Sequence, residues 1–207
     1  MTRALIVDQI ALERGGQRVV AGVSFAVEAG EALLLRGPNG SGKTTLLRAV
    51  AGFLPVAAGR ITLSPDDDTP IAERSHSLGH ANAINRKLTV EENLAFWARY
   101  LGGDVDKVDP AIEAFALDDL RDIPTGMLSA GQARRAGLAR LAVADRPLWL
   151  LDEPTTSLDT ANAGLVADAV NAHISGGGIA VIATHLPLAT AFTHELDLAA
   201  LSGAHAA

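Results

Sequence analysis

Gly37-Pro-Asn-Gly-Ser-Gly-Lys-Thr44 is the stretch on which the fold turns. An apolar run, Ala32–Leu35, stands before it, and a helical pattern, Thr44–Ala51, follows. Glycine, four residues, then Gly-Lys-Thr between a strand and a helix is the arrangement a phosphate cradle requires. Glycines let successive backbone N–H groups turn inward around phosphate oxygens. The helix start adds unsatisfied donors and the positive end of its dipole. In such a loop Lys43 reaches the β- and γ-phosphates of a nucleotide, and the hydroxyl of Thr44 ligates Mg2+. Gly37, Pro38, Asn39, Gly40, Ser41, Gly42 and Thr45 complete the expected nucleotide-binding loop.

Further along, Leu148-Trp-Leu-Leu-Asp152-Glu153 supplies a second half to this chemistry. A carboxylate at the end of a buried strand beside a phosphate loop holds the Mg2+ shell, which is the role expected of Asp152. The adjacent Glu153 is placed to take a proton from an attacking water. An apolar run ending in Asp-Glu is by itself a weak signal. Its weight comes from the phosphate loop upstream.

Around these motifs, short β-rich runs alternate with helical stretches, which predicts an α/β domain with a mainly parallel sheet. Strands are expected at Ala4–Val7, Val23–Val27, Ala32–Leu35, Leu148–Leu151 and Ile179–Ala183. The third and fourth are apolar without alternation, as strands covered on both faces are. Helices are expected at Lys43–Ala51, Val90–Leu101, Ala130–Val143 and Ala161–His173, and near Leu186–Ala191. From about His80 to Gly126 strand signals vanish, which predicts a helical lobe inserted into the core. Asp66-Asp-Asp68, between Pro65 and Pro70, reads as a solvated acidic turn.

Composition narrows the function. The 207 residues are 48% hydrophobic and 20% charged, which excludes a disordered chain. No cysteine is present, which excludes a disulfide framework, a thiolate zinc site and a cysteine nucleophile. A net charge of −7 argues against a nucleic-acid partner. No apolar run approaches the roughly 20 residues of a membrane-spanning helix. The first residues carry acid too early for a secretory signal. The expectation is a soluble, cytoplasmic chain that works at a membrane only by docking to a partner.

Three further motifs complete an ordered set. Leu128-Ser-Ala-Gly-Gln132 precedes a helix, Ser157-Leu-Asp159 follows Glu153, and Val181-Ile-Ala-Thr-His185 ends in a histidine. Together with the phosphate loop and the Asp-Glu strand, they make the chain resemble the ATP-binding-cassette ATPases from about Val7 to His185. The resemblance implies a P-loop NTPase fold of the ABC ATPase kind, with a β-rich, RecA-like core at about 1–79 and 136–207. The helical lobe would occupy about 80–135. It also implies a head-to-tail homodimer or paired cassette sandwiching two ATP molecules. Ser129, Ala130, Gly131 and Gln132 of one subunit would close over the γ-phosphate held by the other, with Ser157, Leu158 and Asp159 as the D-loop. His185 would contact the γ-phosphate and orient the water activated by Glu153.

Two departures from the family pattern stand out. Arg14 occupies the position where an aromatic ring stacks on adenine, and arginine retains a cation–π capacity there. His80 stands in the coupling loop where Gln is usual, and histidine keeps donor and acceptor capacity there.

Finer similarity lies in Ser77-Leu-Gly-His-Ala-Asn-Ala-Ile-Asn-Arg-Lys-Leu-Thr-Val-Glu-Glu-Asn-Leu-Ala-Phe-Trp97. It resembles the haem-exporter ATP-binding subunits of bacterial cytochrome c maturation. This implies an ATP hydrolase on the cytoplasmic face of the inner membrane, docked to an integral membrane permease. ATPase subunits of other small exporters and a nucleotide-gated scaffold are the alternatives. Direct haem ligation is not expected: His76 and His80 have i, i+4 spacing without a helix signal, and no Cys-x-x-Cys-His exists. Phe96, Trp97 and Tyr100 read either as a docking stripe or as helix core.

Overall fold

The computed structural model describes residues 3–65 and 68–199. Asp66 and Asp67 of the acidic turn, the side chain of Arg14, and His205 lie outside the described residues. The chain opens with a hairpin, β1 (Ala4–Arg14) and β2 (Gln17–Glu28), then passes through β3 (Ala32–Arg36), the phosphate loop and α1 (Lys43–Val50). β4 (Ala58–Leu63) and β5 (Ser75–Leu78) follow. The helices α2 (Val90–Tyr100), α3 (Val108–Ala114) and α4 (Ala130–Ala139) come next. β6 (Leu148–Asp152), α5 (Thr160–Ser175), β7 (Ile179–Ala183) and β8 (His194–Asp197) complete the order.

Two sheets result. An antiparallel sheet runs β2-β1-β4, and a parallel sheet runs β5-β6-β7-β3-β8. The continuous apolar strands divide their residues between two faces, because successive side chains point in opposite directions. Leu33, Leu35, Leu148, Leu150, Val181 and Ala183 enter one core with α1 and the antiparallel sheet. Ala32, Trp149, Leu151, Ala180 and Ile182 enter a second core with α2, α3, α4 and α5. Both faces are therefore covered, as the lack of alternation predicts.

Local chemistry sets the helix starts. Thr89 caps α2 and Ser129 caps α4, each in a reciprocal capping box with Glu92 or Gln132 three residues on. Asp159 caps α5 through the N–H of Asn162 at 2.8 Å. α1 has no side-chain cap: its N-cap is Gly42 at φ 98. Only glycine tolerates that conformation with Val20 Cγ2 2.7 Å from where a Cβ would sit.

The structure corrects several expectations. Residues 186–191 form a loop, not a helix. Pro187 disfavours the helical conformation at Leu186, while Leu188 still packs on the second core. The third expected helix, Ala130–Val143, ends at Ala139. β4, β5 and β8 carry no apolar signature of their own, and β5 reads Ser-His-Ser-Leu. Between residues 80 and 126 the described residues form α2, α3 and short 3-10 turns, with one isolated bridge from Thr89 to Pro124.

Candidate functional site

The parallel sheet places the site. Leu35 pairs with Ala183, and Ala183 with Asp152, so β3, β7 and β6 end side by side. The phosphate loop, the Asp-Glu pair and the segment reaching His185 all leave this one edge, where parallel α/β sheets hold their ligands.

Within the loop, Lys43 Nζ donates to the carbonyls of Gly37 and Pro38 at 2.6 and 3.1 Å. Its ammonium is thus held across the concavity. Among the described residues the buried Ser41 Oγ has no hydrogen-bond partner. Thr44 Oγ1 donates to Asp152 Oδ2 at 2.6 Å. A hydroxyl and a carboxylate oxygen in contact are hard donors suited to Mg2+, which takes one or two protein oxygens and completes its shell with phosphates and water. No group of three or more His, Cys, Asp or Glu able to hold a metal occurs among the described residues. A site completed by a nucleotide fits these residues better than an all-protein cage.

Glu153 is buried and adopts φ 48, a left-handed conformation that costs a non-glycine residue about 1–2 kcal/mol. Its N–H donates to Ala183 O at 2.7 Å. Its Oε1 lies 2.8 Å from Nδ1 of His185, whose side chain is largely exposed. The structure therefore brings together Lys43, Thr44, Asp152, Glu153 and His185. His80 joins them from the loop after β5, with Nε2 4.0 Å from Asp152 Oδ2. A cleft of about 480 Å³ borders Thr44, Asp152 and His80 and reaches Phe53.

The 129–132 segment caps and opens α4. Ser129 Oγ accepts the N–H of Gln132 at 3.3 Å, and Gln132 Oε1 accepts that of Ser129 at 2.9 Å. Ser129 and Ala130 are exposed, and the small cavity touching Ala130 is shared with His80, Asn82, Arg134, Thr156 and Ser157. Asp159 is engaged in capping α5, and Leu158 packs on the second core. The backbone of Arg14 ends β1 at the hairpin turn, paired with Gln17.

One residue that sequence reasoning passed over is Arg134 on α4. It is 4% exposed and donates to five acceptors. Nε reaches Pro154 O, Nη2 reaches Asp152 O and Glu153 O, and Nη1 reaches Gly79 O and Asn82 Oδ1, all within 3.3 Å. Burial lowers its pKa below the ordinary guanidinium value, opposed by the carboxylates of Asp152 and Glu153. The available signal was an arginine on the otherwise apolar buried face of a helix.

Comparison with known proteins places this geometry. A family described as ABC transporter matches residues 20–156. The chain belongs to the ABC transporter family. This ABC cassette is 49% identical over 186 residues to the cytochrome c biogenesis ATP-binding export protein CcmA of Mesorhizobium japonicum, covering 89% of this chain and 92% of that one. It is 47% identical over 198 residues to the CcmA protein of Chelativorans sp., covering 95% and 98%. Among solved structures, an ABC transporter ATP-binding protein from Pyrococcus furiosus superposes with a TM-score of 0.83 at 24% identity, covering 96% of this cassette and 98% of that chain. That likeness concerns the fold, which is the ABC ATPase fold expected from the motifs. No helix among the described residues of the cassette is long and apolar enough to cross a membrane.

Proposed function

We propose that this ABC cassette is the ATP-hydrolysing subunit of a membrane complex for haem export, or release of a haem-loaded chaperone, in c-type cytochrome biogenesis. The observation that carries the hydrolytic part is the meeting of Lys43, Thr44, Asp152, Glu153 and His185 at one sheet edge. Near-half identity to CcmA proteins over most of both chains supports the pathway.

The loop amides and Lys43 bind the β- and γ-phosphates, with Gly37–Thr45 wrapping them. Thr44 and Asp152 would hold Mg2+, which when bound neutralises developing charge on the phosphates. Glu153 accepts a proton from the attacking water at a carboxylate oxygen. His185, bonded through Nδ1 to Glu153 Oε1, fixes that carboxylate and closes the site against the γ-phosphate. The resemblance assigns Arg14 to the position that contacts adenine.

The second half of each site comes from another copy or a paired cassette. With Ser129 Oγ accepting a backbone N–H, its own hydrogen remains available to donate to a γ-phosphate oxygen. Ala130, Gly131 and Gln132 open α4 beside it, and Ser157–Asp159 line the same junction. Residues of about 80–135 act as the lobe carrying this segment, and His80 relays contact with an integral membrane permease. The cassette is then peripheral on the cytoplasmic face of the bacterial inner membrane.

Hydrolysis by the complex with its membrane subunit tests the enzyme reading: Glu153→Gln should lower steady-state phosphate release by about 10²- to 10⁴-fold while retaining ATP and sedimenting as an ATP-dependent dimer. Equal rates sink Glu153 as the base, and a persistent monomer sinks the sandwich. Deleting the gene should remove covalent haem from periplasmic c-type cytochromes; unchanged haem sinks the pathway.

A further inference from the structure

The five bonds of Arg134 join three parts of the molecule that the backbone keeps separate. Three acceptors are the successive carbonyls of Asp152, Glu153 and Pro154, where β6 leaves the sheet. Two lie on the loop that carries His80, at Gly79 O (2.8 Å) and Asn82 Oδ1 (3.1 Å). The side chain itself springs from α4, whose first turn is the Ser129–Gln132 segment.

We infer that Arg134 is a positioning residue that holds Glu153 in its working orientation and makes that orientation depend on the His80 loop. Glu153 sits in a left-handed backbone conformation that its neighbours must maintain. A planar fork with donors in fixed directions can hold three consecutive carbonyls and a loop at once; a lysine ammonium on a flexible stem cannot reproduce that geometry. Close packing leaves the loop no independent path. A Cβ on Gly137, one turn along α4, would meet Asn82 O at 2.9 Å and Asn82 Cβ at 2.8 Å. Displacement of residues 79–82 therefore pulls on the guanidinium or on α4, and through the guanidinium on the carbonyl of Glu153. The device links any force on the His80 loop to the carboxylate that takes the water's proton.

The inference rests on Glu153 being the base, and its test separates the two. Turnover and KM for MgATP are measured on the full chain in complex with its membrane partner, for Arg134→Lys, Glu153→Gln and the double variant, with melting as a control. Arg134→Lys should lower kcat by roughly 10- to 100-fold with KM within about threefold, as loss of an interaction that matters only in the transition state does. On the Glu153→Gln background it should cause no further loss, because the two act as one unit. Wild-type kcat in Arg134→Lys, or a full additional loss in the double variant, overturns the inference while leaving Glu153 as the base. Wild-type turnover in Glu153→Gln overturns both. Asn82→Ala removes one loop acceptor without touching Arg134 and covers the case in which Arg134→Lys fails to fold. It should lower kcat about three- to tenfold at constant KM, and an unchanged kcat overturns the coupling to the loop.

Discussion

The two ends of strand β6 carry polar groups under opposite rules. At its C-terminal end, Asp152 and Glu153 are buried carboxylates held by Thr44, His185 and the carbonyl-binding Arg134. Near its N-terminal end, Trp149 stacks on His173 at 4.1 Å between ring centroids, and His76 meets the same indole edge-on at 6.3 Å. His76 bonds Ala144 O at 2.8 Å and His173 bonds Ile179 O at 3.2 Å. Burial pushes both histidines down to about 4, so the rings are neutral and act as packing surface. One end ties its carboxylates and their backbone to polar partners, and the other packs neutral rings against an indole. A cleft of about 890 Å³, lined by His76, Trp97, Tyr100 and Arg140 among others, opens beside the second end and away from the phosphate loop. Cavity size alone is thus a poor guide to where the chemistry lies.

Several changes would break or sharpen that contrast. The largest effect belongs to the charged end: Glu153→Gln should lower kcat by about 10²- to 10⁴-fold, the usual contribution of a general base, read as phosphate release at saturating ATP. At the packed end, acid should cost stability. An unfolded histidine titrates near 6.5 and these two near 4, so the unfolded chain binds more protons between those values. Stability is full above about pH 6.5 and falls as pH drops toward 4, by about 3 kcal/mol for each histidine. Urea midpoints at pH 7 and 5 measure this, and His173→Phe, which keeps a ring on Trp149, should flatten the slope. A pH-independent midpoint would show that the stack tolerates charge.

The smallest effect lies between the two ends. Ser129→Ala removes the capping box of α4 and should cost about 1 kcal/mol in a melting or denaturant curve. If the proposed sandwich forms, its effect on ATP-driven dimerisation should be far larger than that loss implies, because Ser129 is exposed at the start of α4. If dimerisation falls only as much as stability does, Ser129 is a cap alone.

Much of the site was legible before the fold was known. Residues 37–44 and the apolar run ending at Asp152-Glu153 carry local signals of spacing and periodicity, His185 just after β7 is picked out by the family resemblance, and the sheet brings all three together. Less legible were β5 and β8, reading Ser-His-Ser-Leu and His-Glu-Leu-Asp. They are strands because a neighbouring parallel strand offers them hydrogen bonds, not because their own residues alternate. The stripe on α2 divides in two: Trp97 is tucked against Arg140 with Nε1 on Ala83 O, while Phe96 and Tyr100 are exposed.

The phosphate loop is written in contiguous residues whose chemistry follows from spacing; the two carboxylates gain their meaning from that loop, and the family from the resemblance of five ordered motifs. Only the tertiary structure decided what holds those carboxylates. Arg134 lies eighteen positions before Asp152 and fifty-five after Gly79, and it reaches both through backbone carbonyls. Acceptors of that kind are the same at every residue, so no residue type announces them until the chain is folded.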